Sequence, residues 1–288
     1  MLWLILCAIS FIGIFVVFKL IVVKKAPLLN CVVVNYLMAT VLGFVVCGSI
    51  PLGEIVAAEW FPVGIVLGFL FIATFIIVGI SSSRSGIGIT TVASKMSLVI
   101  PMLFSIIAYG EPLSLFKIMA IVMAVASVIL CTYKPGGAHG KTDIWKILLP
   151  VLLFLGMGVN DSLVVYSRHS LGAGDTAALF TATLFGMSLL FGIIYSLVKK
   201  GTMRQFACVK TWIFGGLLGA FNFGSIYFVI MTMNSGILAT SAIYGICNIS
   251  TVLLSIIIGR IFFTEKLTWL NIVGGLLALG AIVIMAVA

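Results

Sequence analysis

Two ionisable residues sit inside otherwise apolar stretches of the chain, and they set what chemistry could take place there. Lys95 lies eight residues into the run 87–109, and Asp161, next to Asn160, lies in the run 147–166. A charge at the centre of a bilayer costs about 2.5 to 3.5 kcal/mol on insertion scales, so such groups line cavities or pair with one another. Eight residues of helix place Lys95 about 12 Å into a hydrocarbon layer ~30 Å thick, and Asp161 stands nearer one surface. Two accounts are open. In one, Lys95 and Asp161 form a buried ion pair that fixes how the helices pack. In the other, Lys95 anchors an anionic or carboxylate-bearing solute, and Asp161 accepts a proton or pairs with an amine.

Weaker polar groups recur at helical spacing beside these charges. Thr90 with Thr91, then Ser94, Ser97, Pro101 and Ser105 follow one another in the run that holds Lys95. Ser241, Tyr244, Asn248, Thr251 and Ser255 do the same in a later run. Lipid cannot satisfy such groups, so the expectation is that both stripes face one wet cavity; hydrogen bonding between helices in a dry bundle is the competing account. Asn35 with Tyr36, and Asn222 with Tyr227, extend the candidate lining. The expected solute contacts are therefore Lys95, Asp161, Asn160, Ser94, Thr91, Asn35, Asn222, Tyr227, Tyr244 and Asn248. Pro101 has no N–H and leaves the carbonyl of Ser97 without its helical partner. Lys19, four residues before the end of its run, is expected to snorkel to the surface. Glu111 and Glu265 each stand between two helical runs, where a carboxylate favours the N-terminus of the helix that follows.

Other chemistries lack their parts. The six cysteines lie singly with no CxxC pair, which excludes a thiolate metal site and a disulfide framework, and no metal or cofactor is expected. The two histidines, His139 and His169, fall in connecting segments, and no HExxH or GxSxG occurs. Gly172-Ala-Gly-Asp175 matches the GxGD of intramembrane aspartyl proteases, with Asp161 as a second carboxylate. That reading needs two aspartates sharing a proton. However, Asn160 stands where those enzymes carry tyrosine, no Pro-Ala-Leu follows, and Asp175 sits where aspartate is an ordinary helix cap. We therefore expect no enzyme. With no P-loop, any active transport draws on a proton, ion or solute gradient or on a separate partner.

The elements that position these residues follow from composition. The chain has 288 residues, 63% hydrophobic and 8% charged, with a mean hydropathy of +1.36. A soluble domain is about half apolar and a quarter charged, so this is a membrane protein. Apolar runs fall at 2–23, 28–48, 61–80, 87–109, 115–133, 147–166, 177–198, 212–233, 237–263 and 267–288. They are apolar on every face, which excludes a β-barrel. The first, with no basic segment before it, is expected to be a retained span. The net charge of +9 is an orienting feature and gives no reason to expect nucleic acid as a partner. Thirteen lysines and arginines lie in the connections after odd-numbered spans, two lie on the other side, and Lys95 is inside a span. Short basic loops stay cytoplasmic, which predicts both termini outside an inner or plasma membrane.

The chain repeats itself. Glu111-Pro-Leu113-Ser aligns with Glu265-Lys-Leu267-Thr, Ser85-Gly86-Ile87 with Ser235-Gly236-Ile237, and Gly64-x-x-x-Gly68 with Gly215-x-x-x-Gly219, at offsets of 154, 150 and 151 residues. Close helix packing alone accounts for the glycine pairs. Five spans per half is an odd number, so the second half enters the membrane inverted. The predicted fold is an all-α integral membrane protein of ten transmembrane helices in two inverted five-helix repeats, 1–133 and 144–288, joined by a cytosolic linker at 134–143.

Pro101 followed by Glu111-x-Leu113, the repeated Glu265-x-Leu267, Gly274 and the ten spans resemble the EamA-like branch of the drug/metabolite transporter superfamily. The resemblance covers the whole chain and departs from the family at two points. The ninth span has no counterpart of Pro101, and Asn35 stands where many relatives carry arginine. It implies a cavity between the halves and movement of a small organic solute, often outward; the expected partners are that solute and the lipid bilayer, with the chain a monomer or homodimer. The class left in competition is a membrane-embedded scaffold or receptor, for which the short loops offer little docking surface.

Overall fold

The computed structural model describes residues 2–110, 112–132, 144–172, 176–199, 201–235, 240–265 and 267–287. These residues form helices and contain no strand. The first half holds α1 (Leu2–Val23), α2 (Leu28–Cys47), α3 (Leu52–Ala57), α4 (Phe61–Arg84), α5 (Ile87–Met96), α6 (Val99–Tyr109) and α7 (Leu115–Thr132). The second holds α8 (Trp145–Ser170), α9 (Ala177–Val198), α10 (Val209–Asn234), α11 (Thr240–Ile261) and α12 (Trp269–Val287). Among the described residues eight helical segments are long and apolar enough to cross a membrane, α5 and α6 together making one of them, so this is a multi-pass membrane protein. Shorter apolar segments follow at Ile246–Ile261 and Trp269–Met285.

Backbone groups in lipid must bond within their own segment, which is why runs without turn residues become uninterrupted helices. Their ends follow from local chemistry. Pro27 precedes α2, and Gly48 ends it at φ +73°, where its N–H returns to the carbonyls of Phe44 and Val45. Pro62 stands in the first turn of α4. The run 87–109 is broken. Pro101 cannot donate to Ser97, so Ile100 N–H takes that carbonyl at 2.9 Å in a tighter three-residue step. The carbonyl expected to be free is thus occupied, and the step divides α5 from α6. The short helix α3 and a 3-10 turn at Met203–Ala207 have no counterpart among the expected elements.

Packing joins the halves more than it joins neighbours within a half. Helix α1 lies on α10 as α8 lies on α4; α2 lies on α10 as α9 lies on α4; α1 meets α11 as α8 meets α5 and α6; and α7 pairs with α12. The glycine motifs act at these contacts. A Cβ on Gly215 or Gly219 of α10 would meet the α2 backbone at Cys31 and Asn35, and one on Gly68 of α4 would meet Met187 and Ser188 of α9. Ser188 Oγ donates to the Gly68 carbonyl at 2.9 Å across that approach. Small residues buy such close contact where lipid supplies no hydrophobic drive. One core gathers Phe18, Ile21, Tyr36, Phe75, Phe185 and Leu218; another gathers Met96, Ala124, Val252, Ala278 and Ala281.

Candidate functional site

Lys95 occupies the last turn of α5, where its positive charge meets the negative end of the helix dipole. Its Nζ lies 3.8 Å from the centre of the Phe11 ring on α1, a cation–π contact. Cys7, one turn before Phe11, and Cys247 of α11 lie within electrostatic reach of the ammonium, as does Asp161 of α8. The cation is therefore ringed by α1 and α5 of the first half and by α8 and α11 of the second.

Lys95 and Asp161 are both only half-buried and too far apart for a salt bridge. The buried ion pair entertained from sequence is not formed here. Two opposite charges from opposite halves instead lie within electrostatic reach of one another without touching, and neither is fully buried.

The amides behave differently. Asn160, beside Asp161, is buried and donates Nδ2 to Thr74 Oγ1 of α4 at 3.0 Å. Asn222 Nδ2 donates to Asn35 Oδ1 at 3.2 Å, tying α10 to α2. Asn160 Oδ1, Asn35 Nδ2 and Thr91 Oγ1 are buried without a partner among the described residues. Asn248 is buried on α11, and Ser94 is half-buried on α5. Tyr227 stacks on Phe223 at 5.5 Å and lines a cavity of about 40 Å³ with Gly43, Ala182 and Phe185. Tyr244 and Ser241 lie outside the described side chains.

The two stripes differ from expectation. Thr90, Ser97, Thr251 and Ser255 are fully buried, and each hydroxyl donates to a carbonyl of its own segment: Gly86, Ser94, Cys247 and Val252. These four give no surface to a cavity. Hydroxyls return to a preceding turn whenever no better partner is near, and the helices α5 and α11 close over them.

Several residues gain partners that spacing did not reveal. Lys19 does not snorkel: its Nζ lies 2.8 Å from Glu265 Oε1 and 3.2 Å from the Ser82 carbonyl. Glu265 does not cap the helix that follows it; its carboxylate accepts the Ile87 N–H at the start of α5, at 2.9 and 3.0 Å. Cys7 and Cys247, 240 residues apart, bring their sulfurs to 2.9 Å. His169 lies in the last turn of α8, not in a loop, and stacks on Tyr109 at 4.0 Å. Among the described residues no cluster of three or more His, Cys, Asp or Glu could hold a metal. Glu111, His139, Asp175, residues 236–239 and the linker 134–143 lie outside the described residues.

No family model matches the chain. It is 27% identical over 228 residues to an uncharacterized protein of Haemophilus influenzae, covering 79% of this chain and 76% of that one. A crystal structure described as that of a protein shares the fold at a TM-score of 0.59 with 13% identity, covering 96% of this chain and 95% of the other.

Proposed function

We propose that this protein is a secondary transporter of a small organic solute, built from ten spans in two inverted repeats of the EamA-like kind and working by alternating access in an inner or plasma membrane. The observation that carries the reading is the pair of half-buried, unbridged charges, Lys95 from the first half and Asp161 from the second. A purely structural role for such charges favours a closed salt bridge, since an unpaired charge in a low-dielectric interior is costly. The packing supports the repeat. Exchanging each helix for its counterpart turns the α1–α10 contact into α8–α4, α2–α10 into α9–α4, and α1–α11 into α8–α5. The candidate site then falls where two such counterpart pairs, α1 with α8 and α5 with α11, come together. Transporters commonly bind at the repeat interface beside interrupted helices, and the step at Ser97 in α5–α6 is of that kind.

The chemistry points to a solute with a carboxylate or other anionic group for Lys95, a cationic or proton-donating group for Asp161, and an apolar face for Phe11. The test is a thermal-shift screen of the purified protein against amino acids, nucleosides, sugar phosphates and organic cations, followed by uptake into proteoliposomes. A stabilising ligand whose effect and uptake are lost in Lys95→Ala supports the reading. Full uptake by that variant, or no ligand in any class, removes the case for transport through this site.

A further inference from the structure

We propose that Glu265 is a latch that holds the basic end of the bundle closed, a positioning residue for access to the Lys95 site. The proposal rests on the transport reading and adds the element that governs the mouth.

The geometry is built around one carboxylate. Glu265 follows Thr264, whose backbone is left-handed at φ +50°, and its own N–H returns to the Gly259 carbonyl at 3.0 Å. This tight turn between α11 and α12 aims the side chain out of the second half and into the first. There it accepts Ile87 N–H, one of the otherwise unpartnered donors at the start of α5, and the Lys19 ammonium of α1. Lys19 in turn holds the Ser82 carbonyl at the end of α4 and lies 5.9 Å from the Phe263 ring centre. The side chains of Lys19 and Glu265 are only 14% and 11% exposed, so the contact is shielded from competing water.

Two glycines make room for it. A Cβ on Gly86 or on Gly259 would lie 2.7 Å from Glu265 Oε2, and Gly86 also takes φ +100°, which side chains rarely adopt. The carboxylate thus sits in a cradle cut from both halves. It bolts the α11–α12 connection to α1, to the end of α4 and to the start of α5. Helix α5 carries Lys95 eight residues further on, so what the latch grips is the helix that presents the cation. Opposite charges held across the two halves, with strict steric demands, are what a closure that must form and release in each cycle requires. A permanent strut could be made more cheaply from apolar contact.

The buried thiols beside Lys95 report on the mouth without any solute. Cys7 and Cys247 are fully buried at the site, whereas Cys131, 2% exposed, lies in the separate α7–α12 contact with its sulfur against Gly274. The full-length protein in detergent is treated with a small cationic methanethiosulfonate reagent, and modification of each cysteine is followed by mass spectrometry. Two variants release the latch by different means: Glu265→Gln weakens the charge, and Gly259→Ala expels the carboxylate sterically with no change of charge. We expect both to speed modification of Cys7 and Cys247 at least tenfold and to leave Cys131 unchanged. Unchanged labelling at Cys7 and Cys247 in both variants overturns the latch. A parallel rise at Cys131 also overturns it, because it shows general loosening and a merely structural role. Since the assay needs no solute, faster labelling together with full uptake by Lys95→Ala would sink the assignment of Lys95 as the solute site and leave the latch standing.

Discussion

Lys95 makes the strongest residue-level claim. A charge-assisted hydrogen bond contributes about 1.5 to 3 kcal/mol, so Lys95→Ala should weaken solute binding by about 10- to 100-fold. Lys95→Arg, which keeps the charge, should retain part of it; equilibrium binding of whichever ligand shifts the melting temperature measures both. At the mouth, leaving one member of a shielded pair alone costs about 3 to 5 kcal/mol. Lys19→Met should therefore lower thermal stability, and adding Glu265→Gln should cost less than the sum of the two single changes, a coupling read from the double-mutant cycle in denaturation. Lys95 and Asp161 were legible in the sequence because a charge inside an apolar run has no ordinary explanation. Lys19 was misread because its partner stands 246 residues away, and nothing local distinguishes a lysine that snorkels from one that bridges. The cysteines were separately unremarkable for the same reason: only folding brings Cys7 to Cys247.

At the scale of the element, two glycines of α10 three residues apart give opposite forecasts. A methyl at Gly219 would lie 2.6 Å from the Asn35 carbonyl, which is backbone and cannot swing aside, so Gly219→Ala should destabilise by about 1 to 3 kcal/mol. Gly216 has nothing within 4 Å of the same position, and Gly216→Ala should be neutral or stabilising by up to about 1 kcal/mol through helix propensity. Thermal denaturation of the two variants in the same detergent checks the pair. The long helices were legible because a bilayer admits few alternatives for an apolar run of some twenty residues; the ranges 2–23 and 177–198 match α1 and α9 end for end. Helix α3 was not, since six residues in a connection carry too little periodicity to register. The step between α5 and α6 was half legible: Pro101 announced a lost hydrogen bond, while its rescue by Ile100 depends on the backbone tightening around it.

For the molecule as a whole, the basic connections predict that a C-terminal alkaline phosphatase fusion is active and a C-terminal green fluorescent fusion is dark. The reverse pattern would invert the assigned orientation. The interlocked halves give a second forecast. Oxidation with diamide should remove two thiols by joining Cys7 to Cys247, linking α1 to α11, and Cys7→Ser should abolish the product; a peptide map without that cross-link in the unaltered protein and in Glu265→Gln alike would place the two helices wrongly.

The sequence by itself settled that this chain crosses a membrane many times and which two charges stand inside apolar runs, because hydrocarbon imposes its demands residue by residue and segment by segment. Tertiary structure alone decided which hydroxyls turn back on their own helices and which charges stay apart. It also decided that a lysine near the start of the chain and a glutamate near its end meet over α5. Those outcomes depend on which helices lie side by side, and the contacts between distant halves have no local trace in the order of residues.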